Sequence, residues 1–388
     1  MADNRFLDEL QNLRDKNLLR KPVTFEKNDG RTVTLNGKDY LLFCSNDYLG
    51  LSHHPEVIEA VHKGVERYGY GSGASRLVSG ATSPHAELEE KLAEYLKAES
   101  VLTFSSGYTA NVGMIPALAG KGDVIVADRL NHASLVDGCL LSRAEFKRYP
   151  HLDMEALEKL LVEYKNARRR WIVTDGLFSM DGDLAPLPEI CALAKRHDAQ
   201  VYLDDAHAFG VMGENGRGTP EHFDVEGAVD VHMGTLGKAA GGMGAFAAGS
   251  KTIIDYLVNK ARTFIFSTAM PPANALGAAK AVDILADFRK ERAHFQSVII
   301  AFHKELKNLN IAIKSQSYIM PIIGGAAEKA LGWKGLLLKG GIFVQAIRPP
   351  TVPVGTSRLR ITLSLSQTPD DRQKLLALLK NIGEWDNR

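Results

Sequence analysis

Two reactive side chains follow apolar, strand-like runs in the second half of the chain. The run in VYLDDAHAFG ends at Asp204, with His207 three residues later, and Lys238 stands in a glycine-rich turn just beyond the run in VDVHMGTLGKAAGG. A carboxylate at a buried strand end needs a cation or a hydrogen-bond donor as a partner. Partial desolvation lowers the pKa of a lysine and makes a neutral amine available for a Schiff base. Taken singly, Asp204 is more typical of a turn cap and Lys238 of a surface lysine.

A helix start and a histidine add two further groups. TFSSGYTANVGMI predicts a strand, a Ser/Gly turn and a helix, and the first amides of such a helix suit a phosphate. His132 in VADRLNHASLVDG follows another strand end, where its ring could stack on a planar ligand. The simpler interpretations are a Ser-capped helix and a helix-capping histidine. Together, the four features predict a pyridoxal phosphate (PLP) site, which needs an amine, an aspartate for the ring nitrogen and a helix start for the phosphate.

Other enzyme motifs fit the chain poorly. Arg76 in GYGSGASR stands where the third glycine of a dinucleotide-binding loop belongs, and no predicted strand precedes it. GTLGKA lacks the spacing and the Ser or Thr of a P-loop, and the chain has no G-x-S-x-G or HExxH motif. Cys44, Cys139 and Cys191 form no CxxC pair. We therefore expect reduced, mostly buried cysteines, with no disulfide framework and no metal site.

Alternating strand-like and helical segments must position these groups. The predicted strands are SVLTF, DVIVAD, EFKRY, RWIVTD, QVYLDD and VDVHMG. The helices PEVIEAVHKGVERY and PHAELEEKLAEYL each carry proline in the first turn. This alternation predicts an α/β fold with a mostly parallel sheet, in which ligands bind at the carboxyl ends of the strands.

The pattern near both ends of the chain predicts a second, smaller unit. A helix in the first twenty residues precedes strand-like pieces at VTF, TVTL and YLLF. Near residue 285 a long charged helix (ADFRKERAHFQSVIIAFHKELKNL) leads to extended pieces at YIMPII, IFVQAI and RLRITLSL and to a final helix from Pro369. We predict an N-terminal helix and strands at 1–45, a large PLP-binding domain at 46–285 and a small C-terminal domain at 286–388.

Composition and charge exclude several classes of partner. The 388 residues carry 47 basic and 46 acidic side chains, a net charge of +1, without the basic surface of a nucleic-acid-binding or membrane-binding protein. The amphipathic N-terminus lacks the apolar core of a signal peptide, and no apolar run approaches a membrane span. We therefore expect a cytoplasmic protein with small-molecule substrates and with no nucleic-acid or membrane partner.

Segments spread over nearly the whole chain resemble, in order, those of the α-oxoamine synthases. They include SNDYLGLSHHP, GSGASRLVSG, SSGYTAN, DRLNHASL, TDGLFSMDGD, LDDAHAFGVMGENGRG, FSTAMPP and IRPPTVPVGTSRLRITLS. The resemblance implies a fold-type I PLP-dependent transferase of the aspartate aminotransferase-like kind. Such a fold has a mostly parallel central sheet and a smaller α+β C-terminal domain. The resemblance also implies a homodimer with its active site at the interface.

The resemblance further implies roles for matching residues. Lys238 would hold the cofactor and move the proton at the substrate α-carbon, and Asp204 would keep the ring nitrogen protonated. His207 would bind the ring hydroxyl, and His132 would stack over the ring and contact the substrate. Further cofactor contacts are expected from Gly107, Tyr108, Ser179, Thr235 and, across the dimer interface, Ser267 and Thr268. The substrate residues are expected to be Arg20, Thr351 and Arg360.

The forms of GSGASR and IRPPTVPVGTSRLRITLS resemble the branch of the family that condenses L-alanine with a pimeloyl thioester, on coenzyme A or a carrier protein. The reaction releases CO2 and gives 8-amino-7-oxononanoate in biotin biosynthesis. The alternatives are the condensation of glycine with acetyl-CoA, another α-oxoamine synthase, an aminotransferase, or a noncatalytic partner subunit. Arg358 and Arg360 share a strand face. We favour Arg360 as the carboxylate ligand and leave Arg358 open. Leu309–Gly341, where acyl-chain contacts are expected, matches the family least well.

Overall fold

The computed structural model describes residues 4–381 and divides them into two compact units. The larger unit contains Leu49–Ser179 and Leu184–His294, and the smaller unit contains the other described residues, including Met180–Asp183. The three domain ranges expected from the sequence stay a prediction. Their outermost residues, 1–3 and 382–388, lie outside the described part of the chain.

Strands and helices alternate through the larger unit. The strands of the described residues are β1 (Lys27–Asn28), β2 (Thr32–Leu35), β3 (Lys38–Leu42), β4 (Ser100–Phe104), β5 (Val124–Asp128), β6 (Glu145–Tyr149), β7 (Arg170–Asp175), β8 (Gln200–Asp204), β9 (Val231–Thr235), β10 (Ala245–Gly249), β11 (Ile319–Gly325), β12 (Ile342–Phe343), β13 (Gln345–Ile347) and β14 (Ser357–Thr362). The α-helices are α1 (Asn4–Asp15), α2 (Pro55–Tyr68), α3 (Ser83–Leu96), α4 (Gly107–Leu118), α5 (Ala133–Leu141), α6 (Met154–Glu163), α7 (Leu187–Arg196), α8 (Thr219–His222), α9 (Lys251–Lys260), α10 (Arg262–Phe266), α11 (Pro272–Asp287), α12 (Arg289–Asn308), α13 (Ala327–Lys339) and α14 (Pro369–Asn381). Within residues 4–381, no helix is both long and apolar enough to cross a membrane.

A seven-stranded sheet with the order β4-β10-β9-β8-β7-β5-β6 organises the larger unit. The neighbouring strands from β9 to β6 are parallel, and β10 runs antiparallel to both of its neighbours. Parallel neighbours need crossover connections, which helices supply here. The mostly parallel sheet predicted from the alternating segments is confirmed.

This sheet is buried on both faces, which explains its nearly continuous apolar strands. Successive residues of a strand point to opposite faces. In β5, Ile125 packs in one core cluster with Trp171, whereas Val124 and Val126 pack in another with Ile172. The acidic residues of β5, β7 and β8 stand last in their strands, where the chain leaves these two cores.

Two small sheets lie in the smaller unit, with the orders β1-β2-β3-β12 and β11-β14-β13. IFVQAI, predicted as one extended piece, divides at Val344: β12 pairs with β3 in the first sheet, and β13 pairs with β14 in the second. The predicted strand at VTF is wrong. Val23 is exposed and belongs to no strand, because pairing with β2 begins farther along the chain, at Lys27.

The long charged helix predicted from Ala286 is two helices. α11 ends at Asp287 and α12 begins at Arg289, because Phe288 between them has ψ 21°, outside the helical range. The Phe288 carbonyl accepts a hydrogen bond from the Arg292 amide at 2.9 Å, so the first turn of α12 begins there. The charged pattern continues across the break, which is why the sequence did not indicate it.

Two of the three cysteines pack in the interior of the larger unit. Cys139 and Cys191 are buried, and Cys44 in the smaller unit is half-buried. Burial raises the pKa of the Cys139 thiol to about 12 and that of Cys191 to about 11. These two thiols are therefore poor nucleophiles near neutral pH.

Gly234 in β9 leaves no room for a side chain. A Cβ there would lie 2.3 Å from Cζ of Phe246, which is fully buried in β10. We expect Gly234→Ala to lower the free energy of unfolding by about 1–3 kcal/mol, the usual cost of overpacking, in urea denaturation. Gly332→Ala in α13 is the control: its Cβ position has no atom within 4 Å, and alanine should stabilise that helix by roughly 0.5–1 kcal/mol. Unchanged stability of Gly234→Ala would contradict this packing.

Candidate active site

Four neighbouring strands, β5, β7, β8 and β9, present their carboxyl ends at one edge of the large sheet. Asp175 and Asp204 end their strands side by side, and His132 and Lys238 follow β5 and β9. All four line one cavity of about 180 Å³, together with Gly107, Tyr108, Ser134, Ala206, His207, Met233 and Thr235. The structure thus brings together the lysine, aspartate, helix start and histidines that the sequence singled out.

The first turn of α4 also faces this cavity. Ser106 caps the helix: its hydroxyl accepts a hydrogen bond from the Thr109 amide at 3.2 Å, and the Thr109 hydroxyl accepts one from the Ser106 amide at 3.1 Å. The amides of Gly107 and Tyr108 stand too early in the helix to find an intrahelical acceptor. They can therefore bind an anion, which the positive end of the helix dipole also favours.

Asp204 is a buried carboxylate with a donor on each oxygen. It is 4% exposed; Oδ2 accepts a hydrogen bond from Nδ2 of Asn111 at 2.7 Å, and Oδ1 accepts one from the Ala206 amide at 3.0 Å. Donors of this kind favour the ionised form of a buried carboxyl group. The Ala206 contact is the turn cap that the sequence also suggested, and the turn leads to His207, itself 6% exposed.

His132 is both a helix cap and a cavity residue. It precedes α5, and its Nδ1 accepts a hydrogen bond from the Ser134 amide at 3.3 Å and lies 2.7 Å from the Ser134 hydroxyl. Burial lowers the pKa of His132; the charge of Asp204 opposes this shift, and that of Lys238 adds to it. The ring is therefore mainly neutral at pH 7, which suits stacking against a planar ligand.

Asp175, to which the sequence analysis gave no role, adjoins Asp204. Its Oδ2 accepts a hydrogen bond from the His132 amide at 2.7 Å. Burial raises the pKa of Asp175 well above its usual range, and the charge of Asp204 raises it further. Of these two neighbouring carboxyl groups, Asp175 is the one that retains a proton.

Lys238 lies in a tight turn between β9 and β10. The Leu236 amide donates to the Gly244 carbonyl at 2.9 Å, and the Gly241 amide donates to the Lys238 carbonyl at 2.8 Å. Gly241 has φ 70°, and a Cβ there would lie 2.2 Å from the backbone nitrogen of Ser52. Glycine is therefore required at this position if the turn is to hold Lys238 at the strand end.

Two predicted cofactor contacts are less direct. Thr235 lines the cavity, but its hydroxyl donates to the Gly244 carbonyl at 2.9 Å and accepts from the Gly237 amide at 3.2 Å. It would have to rotate to donate to a phosphate. Ser179, the last residue of its segment of the larger unit, is not among the residues that line the cavity. Both roles stay predictions.

Ser267 and Thr268 lie in another part of the larger unit. They line a separate small cavity with Arg76 and His85. Arg76 donates to both carboxylate oxygens of Glu89, at 2.9 and 3.0 Å. Within one chain the structure does not bring Ser267 and Thr268 to the cavity of Lys238, so their predicted role needs a second chain.

Two predicted substrate residues lie near each other in the smaller unit. The Arg20 guanidinium donates to the carbonyls of Arg348 and Pro349, at 3.1 and 2.7 Å. Thr351 is exposed, and its amide donates to the Arg348 carbonyl at 3.2 Å. The Arg20 contacts fix the loop after β13 against the segment that follows α1, and the Thr351 contact lies within that loop.

Arg358 and Arg360 both lie on β14 and are buried. Arg358 donates to Asp181 at 2.6 Å and to the Met180 carbonyl at 3.0 Å. Arg360 donates to the side-chain oxygen of Asn46 at 3.1 Å. The carboxylate of Asp181 already occupies Arg358, which favours Arg360 as the ligand for a substrate carboxylate.

These groups fit PLP. Lys238 offers an amine, Asp204 a buried carboxylate for a protonated ring nitrogen, and Gly107 and Tyr108 amides for a phosphate, all on one cavity. The neutral His132 ring adds a flat apolar surface. Among residues 4–381, no cluster of His, Cys, Asp and Glu could hold a metal ion.

Sequence reasoning missed three buried polar residues of the site: Asn111, Ser134 and Asp175. Asp175 ends RWIVTD just as Asp204 ends QVYLDD, so the same signal could have found it. Asn111 interrupts an otherwise apolar stretch of α4, which indicates a polar partner. Ser134 follows His132 by two residues and carried no distinct signal.

The raised pKa of Asp175 predicts a pH-dependent stability. The folded state binds this proton more tightly than the unfolded state, so the group's stabilising contribution is complete below an unfolded pKa of about 3.9 and is lost as pH rises through the folded-state pKa. In urea unfolding of the cofactor-free protein above pH 4, the free energy of unfolding should fall less with pH for Asp175→Asn than for the wild type. Asp287→Asn, at an exposed position, is the control. Parallel pH curves for wild type and Asp175→Asn would contradict the assignment.

Comparison with known proteins agrees with this site. The model of the family aminotransferase class I and II matches residues 38–378. The chain is 49% identical over 379 residues to an 8-amino-7-oxononanoate synthase of Geobacter sulfurreducens, covering 97% of each chain. A search of solved structures finds a serine palmitoyltransferase from S. paucimobilis with a bound PLP-myriocin aldimine, at TM-score 0.93 and 32% identity, covering 98% of this chain and 97% of that one.

A second solved structure is an 8-amino-7-oxononanoate synthase from Francisella tularensis, with TM-score 0.77 and 30% identity, covering 88% of this chain and 97% of that one. These likenesses confirm the predicted fold-type I architecture, and they confirm PLP as the cofactor. The chain therefore belongs to the aminotransferase class I and II family and, within it, to the α-oxoamine synthases.

Proposed function

We propose that this protein condenses L-alanine with a pimeloyl thioester, on coenzyme A or a carrier protein, to give 8-amino-7-oxononanoate, CO2 and the free thiol. The reaction belongs to biotin biosynthesis. The observation that carries the proposal is the cavity that unites Lys238, Asp204, His132 and the start of α4. The specific substrates rest on relatives that bear the name 8-amino-7-oxononanoate synthase and match nearly the full chain at 42–49% identity.

The chain's own residues divide the work of this reaction. When bound, PLP supplies an electron sink at the α-carbon of the amino acid. Lys238 would hold the cofactor, remove the proton at the α-carbon and later return a proton there. Asp204 would keep a proton on the ring nitrogen, and His207 would bind the ring hydroxyl. The amides of Gly107 and Tyr108 would bind the phosphate.

Bond changes follow from these roles. The α-carbon loses its proton and bonds to the thioester carbonyl carbon, and the thiolate leaves and takes up a proton. The bond to the alanine carboxylate then breaks, CO2 leaves, and a proton replaces it. We assign the alanine carboxylate to Arg360, because Asp181 engages Arg358 at 2.6 Å. Guanidinium binds a carboxylate through two parallel hydrogen bonds.

A second candidate is another α-oxoamine synthase with a different amino acid and acyl group. It is supported by the structural likeness to serine palmitoyltransferase at TM-score 0.93. The condensation of glycine with acetyl-CoA is in the same class. A noncatalytic partner subunit would be expected to lack the cofactor lysine, whereas this chain retains Lys238. The cytoplasmic location expected from the N-terminal sequence stays a prediction.

We also infer that the protein acts as a homodimer whose sites use residues of both chains. Large apolar side chains of the larger unit are exposed in one chain: Tyr70, Leu77, Val78, Leu140, Leu141 and Phe266. Exposed apolar surface of this kind often marks a protein interface. Ser267 and Thr268 lie outside the cavity of their own Lys238, which supports a role in the partner's site.

Purified protein with PLP, L-alanine and pimeloyl-CoA should release CO2 and form 8-amino-7-oxononanoate. Lys238→Ala should lower kcat by about 100-fold or more, because it removes the proton-transfer group. Lys121→Ala, at an exposed position of the same unit, should retain activity. Product formation is followed by mass spectrometry. Turnover by Lys238→Ala at the wild-type rate would contradict the central role of this lysine. A preference for glycine and acetyl-CoA would favour the second candidate.

Mixing two inactive variants tests the shared site. A double variant, Ser267→Ala with Thr268→Ala, should bind PLP weakly at its own Lys238. Mixed dimers with Lys238→Ala should contain one intact site, with Lys238 from one chain and Ser267 and Thr268 from the other. At limiting PLP, the mixture should regain up to about a quarter of wild-type activity after subunit exchange. No regain, or a monomer in sedimentation analysis, would contradict the proposed dimer.

A further inference from the structure

One buried amide contacts both sides of the cofactor cavity. Asn111 is completely buried in α4, and its Nδ2 donates to Oδ2 of Asp204 at 2.7 Å and to the hydroxyl of Ser134 at 2.8 Å. Both hydrogens of the amide are therefore used. The two acceptors belong to the end of β8 and to the start of α5.

The Asp204 carboxylate and a tyrosine hydroxyl together fix the orientation of this amide. The Tyr202 hydroxyl donates to Oδ1 of Asn111 at 2.7 Å, and Tyr202 is 1% exposed. If the amide were turned over, its oxygen would face the Asp204 carboxylate without a hydrogen between them. That arrangement would leave a buried charge without its donor. The observed orientation is thus the one that satisfies every polar atom of the group.

The second hydrogen bond of the amide links it to His132 through the Ser134 hydroxyl. The Ser134 hydroxyl accepts from Asn111, and its own hydrogen is then free to point at Nδ1 of His132, 2.7 Å away. The Ser134 amide also donates to that nitrogen, at 3.3 Å. Because Nδ1 accepts both hydrogen bonds, a neutral His132 must carry its proton on Nε2.

We propose that Asn111 is a positioning residue that sets two states at once: it keeps Asp204 ionised for the cofactor's ring nitrogen and, through Ser134, keeps His132 in the Nε2–H tautomer. The inference rests on the proposed function for the role of Asp204. An asparagine is unfavourable inside a helix, and no acidic or hydroxyl side chain of similar size supplies two donors.

Two substitutions of Asn111 separate the effect of its hydrogen-bond donors from the effect of its side-chain volume. Asn111→Leu keeps a side chain of similar volume but removes both donors, so Asp204 loses one of its hydrogen bonds. A hydrogen bond to a charged group contributes enough free energy to change an equilibrium constant by about tenfold. We expect the dissociation constant of PLP at pH 7 to rise about tenfold in Asn111→Leu.

Asn111→Asp replaces a donor by an acceptor. The new carboxyl group would lie beside Asp204, so it would keep a proton and donate it to that carboxylate. The Ser134 hydroxyl would then donate to the new side chain and turn away from Nδ1 of His132, and the loss of that donor would favour a protonated ring. NMR of the cofactor-free protein with labelled histidine should show a raised pKa of His132 in this variant. Asn111→Leu should leave the pKa of His132 at or below its wild-type value.

A buried amide outside the site is the matched control. Gln367 in the smaller unit is 5% exposed and donates to the carbonyls of Leu42 and Thr362 at 2.9 and 3.2 Å. Gln367→Leu should lower stability without changing PLP affinity or the titration of His132. If Asn111→Leu does not fold, Tyr202→Phe tests the same point. This substitution removes the hydrogen bond from the Tyr202 hydroxyl to Oδ1 of Asn111. The dissociation constant of PLP should rise, by a smaller factor than in Asn111→Leu.

The outcomes distinguish a positioning role from a structural one. Wild-type PLP affinity in Asn111→Leu, or a change no larger than that of Gln367→Leu, would overturn the proposal. An unchanged pKa of His132 in Asn111→Asp would contradict the part of the proposal in which Asn111 acts on His132 through Ser134. These readouts need neither alanine nor a thioester. A protein that shows the expected shifts but does not form 8-amino-7-oxononanoate would refute the proposed function and leave this inference standing.

Discussion

The buried charge of Asp204 is the constraint on which the rest of the site depends. A carboxylate that is 4% exposed is stable only with hydrogen-bond donors, which come from Asn111 and Ala206. Burial raises the pKa of the neighbouring Asp175, and the charge of Asp204 raises it further, so Asp175 retains its proton. The cavity at the strand ends therefore contains one anion (Asp204), one neutral acid (Asp175) and one neutral imidazole (His132). That asymmetry suits a ligand with one cationic ring nitrogen.

Much of this site could be predicted because its parts stand where apolar runs stop. Asp204 and Lys238 each follow such a run, and parallel strands bring their carboxyl ends to one edge. The hydrogen bonds of Asn111 could not be predicted in the same way, since 93 positions separate it from Asp204 and no local pattern records the contact. The breaks at Phe288 and Val344 were missed for a similar reason, because the charge and apolar patterns run through them. Partner strands decide where the chain divides at Val344, and the backbone of Phe288 leaves the helical range.

The residues proposed for cofactor chemistry and those proposed for substrate binding lie in different parts of the chain. The residues that fit the cofactor all line one cavity of the larger unit, whereas Arg20, Thr351 and Arg360 belong to the smaller unit. Relatives with other substrates, such as the serine palmitoyltransferase at TM-score 0.93, share the architecture. The choice of acyl group must therefore depend on features other than this shared architecture. The segment 309–341, where the sequence analysis expects the acyl-chain contacts, is the first place to look.

Covalent mapping of the cofactor tests the central claim most directly. The purified holoprotein is reduced with borohydride, digested and sequenced by mass spectrometry, so that the lysine bearing the reduced pyridoxyl phosphate group is identified. The account predicts that the modification lies on Lys238, at the end of β9 in the cavity with Asp204. A modification on another lysine, or no modified peptide from protein that has been saturated with PLP, would contradict it.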